Sequence, residues 1–142
     1  MRITNKKSLT GDHNWIHKYD AKERGSPFED AIAHGLLTLS FTPTMLYEVI
    51  MRNFNALPLK QMKSTVNYGY DKIRFISPVL VNNSIRGKFE IKSVLKNDNQ
   101  NSIRIIWQIT IETKHRDSEE IKQAAIVENV ALINYKSFKP PK

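Results

Sequence analysis

The chain contains no cysteine. That removes disulfide frameworks and thiolate metal sites from consideration, and it suits a reducing cytoplasm. A long hydrophobic run is missing too. The most apolar stretch, "LLTLSFTPTMLYEVIM" at 36–51, is too short to cross a bilayer and is broken by Thr, Ser and Pro. The opening "MRITNKKSLT" has no apolar core of the kind a secretory signal carries. Internal repeats, linkers and low-complexity segments are also absent. These absences predict a cytoplasmic protein without membrane insertion, folded as one domain over 1–142.

Acidic residues are in the minority, 14 Asp and Glu against 22 Lys and Arg, for a formal net charge of +8. The cations are scattered, with no long basic block and no glycine- or aromatic-studded binding signature, so no nucleic-acid partner is expected. Two readings of the charge remain: a solvated basic surface, or a field that draws in an anionic ligand such as a phosphate-bearing cofactor.

With 40% hydrophobic and 25% charged residues over 142 positions, the chain can build one globular core. From 31 to about 54, Ile32, Leu36, Leu37, Leu39, Phe41, Met45, Leu46, Val49 and Ile50 make a helical pattern that is apolar on most sides. Such a helix belongs inside a protein, and Pro43 should kink or split it. After Pro58 the period changes to two, and strands are predicted near 63–76, 84–96, 101–114 and 120–136. The third is clearest. Ile103, Ile105, Trp107, Ile109 and Ile111 share one face, while Arg104, Gln108, Thr110 and Glu112 share the other, with Ile106 an exception. Short polar turns between the runs suit an antiparallel meander. A long apolar helix with four antiparallel strands implies an α+β hot-dog fold, an antiparallel sheet wrapped around a central helix. One such sheet leaves an edge unpaired, so a homodimer is expected.

The stretch "SLTGDHNWIHKYD" at 8–20 packs two His, two Asp, an Asn and a Trp into one polar segment. It reads as a surface loop, a metal site or half of an active site. "TGDHNWIH" (10–17) followed by "SPFEDAIAHGLLTLS" (26–40) resembles the signature of MaoC-like dehydratases and R-specific enoyl-CoA hydratases. The matching positions are Asp12, Asn14, Trp15, Ile16 and His17, then Ile32 to Leu37 with the pair His34–Gly35. Farther on, "NYGYDKIRFISPV" (67–79) resembles the family's strand ending in Arg-Phe-x-x-Pro-Val, and Trp15 with "NYG" points to the nodulation-protein-N-like branch. The resemblance covers about residues 8–95. Tyr19 stands where an Asp usually follows, Asp30 near a usual Gly or Pro, and the family's opening strand is expected to be truncated or replaced.

The resemblance implies a hydro-lyase of fatty acid metabolism that reversibly hydrates a trans-2-enoyl-CoA, or a related acyl-carrier-protein thioester, to the R-3-hydroxyacyl thioester. The coenzyme A thioester is then the substrate, and no other cofactor is implied. Such hydration needs a base for water, an acid for the α-carbon and donors for the carbonyl oxygen. Asp12 and His17 are the expected catalytic pair, converging on one water, with Asn14 and Gly11 as turn formers holding the loop and Trp15 as its anchor to the core. Spacing alone leaves a plainer reading open, with Asp12 a turn or capping residue and His17 a surface polar group. Gly35 is the expected oxyanion donor. N–H groups in a helix's first turn are unpaired, and glycine lets a ligand approach; the plainer role is close packing. Lys72 and Arg74 are the expected contacts for coenzyme A phosphates. His34 is expected to organise the start of the helix, and His115 to be solvated. No metal is expected, since the spacing of His13, His17 and His34 resembles no zinc pattern. A hot-dog thioesterase and a non-catalytic thioester-binding module are the rival functions.

Overall fold

A computed structural model describes residues 11–52 and 61–136. The opening strand expected before Asp12 and the end of the expected helix, at 53–54, lie outside the described residues. The chain forms a 3-10 turn (Trp15–His17), α1 (Gly35–Ser40), α2 (Thr42–Arg52), β1 (Met62–Phe75), β2 (Ser84–Asn97), β3 (Ser102–Lys114) and β4 (Ile121–Tyr135). Each strand begins and ends within a residue of the span that its alternating pattern predicts.

The helical segment starts later than its apolar pattern implied. Residues 31–33 are extended instead: Ile32 bridges Leu80, Ala33 N donates to Val79 O at 2.8 Å and Val81 N to Ala31 O at 2.9 Å. His34, with φ −59° and ψ 134°, is the last residue before the helix. The helix then divides at Phe41, just ahead of Pro43. Proline falls in the first turn of α2, where its missing N–H costs no intrahelical bond. Phe41 keeps right-handed angles and its carbonyl accepts from Met45 N at 3.1 Å, so the two pieces run on from one another.

The sheet is fully antiparallel, in the order β1-β4-β3-β2. This corrects the expected simple meander: β2, β3 and β4 follow it, but β1 pairs with β4 at the far edge. The link at 76–83 can make that crossing. Eight residues reach about 26 Å, whereas three strand spacings need only about 14 Å. While crossing, the link supplies the backbone partners of residues 31–33.

The two central strands carry the core. Ile109, Ile111, Ala124, Ala125 and Val127 are buried with Leu39 of α1 and Val79 of the crossing link, and Tyr70, Phe89 and Trp107 pack against them. The helical segment touches both edges of the sheet as well. Thr42 Oγ1 lies 3.2 Å from the Tyr70 hydroxyl on β1, and Gly87 on β2 leaves space that Met45 and Phe89 fill. Sheet curvature about a helix is thus visible in its contacts. The expectation of a helix covered on most sides needs correction within one chain: α2 buries Thr42 and Leu46 but leaves Tyr47 62% and Met51 44% exposed.

Candidate active site

The loop that opens the described chain is shaped by its own side chains. Gly11 adopts φ +72°, a left-handed conformation that glycine reaches without steric cost. Asp12 Oδ1 accepts from Asn14 N at 3.0 Å, closing an Asx turn. Asn14 Oδ1 accepts in turn from Ile16 N at 3.4 Å and caps the 3-10 turn. Ile32 N then donates to Ile16 O at 3.0 Å, tying the turn to the extended residues ahead of α1. Trp15 is half-buried beneath the Arg24 guanidinium, 5.5 Å from the ring centre, and is not among the core residues. The anchor expected of Trp15 is therefore a cation–π contact rather than insertion into the core.

This folding delivers the His17 ring to a defined place. Its Nδ1 lies 2.8 Å from Ile32 O. A carbonyl only accepts, so Nδ1 carries the hydrogen, and in the neutral ring Nε2 holds the free lone pair. That Nε2 lies 3.7 Å from Asp12 Oδ2, with the His17 side chain 12% and the Asp12 side chain 51% exposed. The gap is too wide for a direct hydrogen bond, but one water at about 2.8 Å from each atom would bridge it. Asp12 is held below the usual carboxylate range. The Asn14 N–H is the largest cause, partial desolvation opposes it, and the charges of His17, His34 and His13 add to the lowering. An ionised acceptor thus faces the imidazole.

His34 is the residue whose role the sequence reading missed. Its side chain makes no capping bond to α1. Instead its ring stacks on His17, and its Nε2 lies 3.8 Å from Asp12 Oδ2 and 3.3 Å from Asp12 O. A His directly before the helix-opening Gly was the available signal, but the spacing from 17 to 34 does not show that the two rings meet. Asp12, His17 and His34 place three potential ligand atoms within 4.8 Å of one another, a grouping the linear spacing hid.

Gly35 begins α1 immediately after His34. The first α1 bond runs from Thr38 N to His34 O, so the N–H groups of Gly35, Leu36 and Leu37 have no partner within the helix. A β-carbon on Gly35 would lie 2.9 Å from Phe75 Cζ, so the absent side chain also makes room for that ring. Lys72 and Arg74 are not brought to this cluster. They alternate with Ile73 and Phe75, whose partners Val127 and Ala125 lie in the core, and so project from the opposite face. There the Lys72 ammonium pairs with Glu128 at 3.3 Å. Beyond α1, an apolar cavity of about 550 Å³ runs between α2 and the sheet, lined by Thr42, Leu46, Ile50, Met62, Val66 and Ala131.

A model of the MaoC like domain matches residues 7–123. The chain belongs to the MaoC-like domain family. A relative named 3-hydroxyacyl-thioester dehydratase Z, from Mycobacterium tuberculosis, is 34% identical over 85 residues, 60% of this chain and 52% of its own length. Nodulation protein N of Rhizobium meliloti is 30% identical over 135 residues, covering 94% of this chain and 76% of the relative. The chain thus spans about half the length of the mycobacterial relative. The fold also matches solved structures. A monoamine oxidase regulatory protein from Archaeoglobus fulgius gives a TM-score of 0.65 at 23% identity, over 90% of this chain and 76% of the other. An (R)-hydratase from A. caviae gives 0.53 at 20%, over 87% and 78%. With these neighbours, the sheet curved about α1 and α2 is the hot-dog fold of the MaoC-like family.

Proposed function

We propose that this MaoC-like chain is a hydro-lyase that reversibly adds water to a trans-2-enoyl thioester, carried by coenzyme A or an acyl carrier protein, to give the R-3-hydroxyacyl thioester. The single observation that carries the proposal is the facing of Asp12 Oδ2 and His17 Nε2 at 3.7 Å, with the His17 tautomer set by Ile32 O. A water held by both is activated by proton removal, and its oxygen adds to C3 of the conjugated system. The electron pair moves through C2 onto the thioester oxygen, which accepts from Gly35 N–H. A proton delivered from the pair to C2 restores the thioester, and atoms balance with no further reactant. The acyl chain extends past α1 into the apolar cavity beside Leu46 and Ile50.

The relative named as a 3-hydroxyacyl-thioester dehydratase supports this substrate class. The exposed apolar side chains of the edge strand β2, Ile91, Val94 and Leu95, together with Tyr47 and Met51 of α2, support a homodimer. The absence of cysteine supports a cytoplasmic setting. Incubation with a short trans-2-enoyl-CoA tests the proposal directly. Loss of the conjugated absorbance without free thiol is the expected result. Release of free thiol identifies a thioesterase instead, and binding with neither change identifies a non-catalytic module.

A further inference from the structure

We infer that the cavity between α2 and the sheet selects acyl thioesters whose chain carries a hydroxyl group beyond the reacting carbons, with Asn129 Oδ1 as its acceptor. The inference deepens the hydro-lyase reading and rests on it, because that reading places the acyl chain in this cavity. Leu46, Ile50, Val66 and Ala131 give the wall its apolar character. Asn67 of β1 and Asn129 of β4 interrupt it. Asn129 is only 5% exposed. A buried amide in such a wall is costly unless its polar atoms are met.

The hydrogen bonds fix which atom of Asn129 is left over. Its Nδ2 donates to Asn67 Oδ1 at 2.7 Å and to Gly69 O at 3.1 Å. A backbone carbonyl only accepts, so the amide has one orientation here and both Nδ2 hydrogens are spent. The bonds continue in the same direction. Asn67 Nδ2 donates to the Tyr70 hydroxyl at 3.0 Å, and Thr42 Oγ1 donates to Leu39 O at 2.9 Å. Thr42 Oγ1 therefore accepts from the Tyr70 hydroxyl, 3.2 Å away, and nothing in the series returns a hydrogen to Asn129. Among the described residues, Asn129 Oδ1 accepts no hydrogen bond. The sealed side-chain atoms without a partner are oxygens of Asp20 and Asn83, so Asn129 Oδ1 is not closed off; it opens on the cavity that Asn129 lines. A plain hydrocarbon chain filling that space expels water and leaves the acceptor unmet, whereas a hydroxyl on the chain meets it. An ether oxygen has no hydrogen to give and does not.

The experiment is calorimetric titration with saturated acyl-CoA thioesters of increasing length, each as the plain, the terminally hydroxylated and the terminally methoxylated chain. Saturated chains have no double bond to hydrate, so binding is read independently of turnover. At the length that brings the hydroxyl to Asn129, the hydroxylated thioester should bind about tenfold tighter than the plain one or better. The methoxylated chain should gain nothing. Asn129→Leu should remove the preference. No preference at any length, an equal gain from the methoxy group, or a preference that survives in folded Asn129→Leu protein overturns the inference. Should that variant not fold, the wild-type series decides alone, and failure of every thioester to bind also overturns it. Hydration of a trans-2-enoyl-CoA without the hydroxyl preference removes this inference and leaves the hydro-lyase reading standing. The preference without hydration upholds the cavity's selectivity and removes only that reading.

Discussion

The imidazole of His34 lies flat against that of His17, 3.8 Å between centroids; His17 Nε2 faces the Asp12 carboxylate at 3.7 Å, while His34 Nε2 donates to the Asp12 carbonyl at 3.3 Å. The residue just ahead of α1 is thereby drawn into contact with a loop residue seventeen positions earlier. The stack restrains His17 from the side, while Ile32 O restrains it from behind. A ring held on two sides is pre-positioned for proton transfer.

Replacing Asp12 by Asn or His17 by Ala is expected to lower hydration by about 10²–10⁴-fold each, the usual scale of general acid–base catalysis. The double variant should lose little more than either single one, because both groups act on one water. Initial rates on an enoyl-CoA, with circular dichroism to verify folding, check this. Near wild-type turnover in either variant removes the pair.

Gly35 is best tested in a Phe75→Ala background, since any β-carbon at 35 meets the Phe75 ring. Phe75 is 47% exposed, so its truncation opens little of the core. The extended backbone of His34 already suits a following proline. Gly35→Pro in that background should fold and, by removing one N–H donor, lower turnover by about 10²–10³-fold relative to Gly35→Ala. Equal rates assign Gly35 to packing alone.

Glu112 is nearly buried on β3 between Arg86 Nε and Lys88 Nζ, each at 2.6 Å. The Lys88 and Arg86 bonds, in that order, pull its carboxyl below the ordinary value of 4.5. A depressed carboxylate contributes stability above its unfolded value and loses it as pH falls through the folded one. Glu112→Gln should therefore melt below wild type at pH 7, and the difference should shrink progressively below pH 4.5. Thermal unfolding followed at several pH values checks the sign.

Lys72→Ala and Arg74→Ala are expected to leave KM for an enoyl-CoA within about twofold, because both side chains leave the sheet on the face away from Gly35. A KM that rises severalfold at low salt and converges with wild type at high salt would place them on the phosphate path, supplied across a subunit edge.

Light scattering at micromolar concentration should give twice the 16.5 kDa chain mass. A monomer would leave the exposed apolar residues of β2 and α2 without the partner proposed for them.

Strand spans were legible in the sequence because alternation is a local property: Ile103, Ile105, Trp107, Ile109 and Ile111 announce β3 without reference to any neighbour. The Asp12–His17 loop was legible for the same reason, its shape being set by Gly11, Asp12 and Asn14 within a few bonds. Pairing is different. The placement of β1 beside β4, and the meeting of His34 with His17, depend on partners tens of residues away. Lys72 and Arg74 show why parity along a strand does not by itself place a side chain on a face. Counted by twos from Tyr70, whose hydroxyl reaches Thr42, they would share the helix-facing side. A register shift between Tyr70 and Lys72 leaves Asp71 as the extra residue, and every side chain after it changes face. Ile73 and Phe75 turn inward as a result, and the two cations turn out. No local pattern distinguishes that bulge from regular strand; it shows only in the pairing with β4, which sets Ile73 opposite Val127 and brings the Phe75 ring beside Gly35.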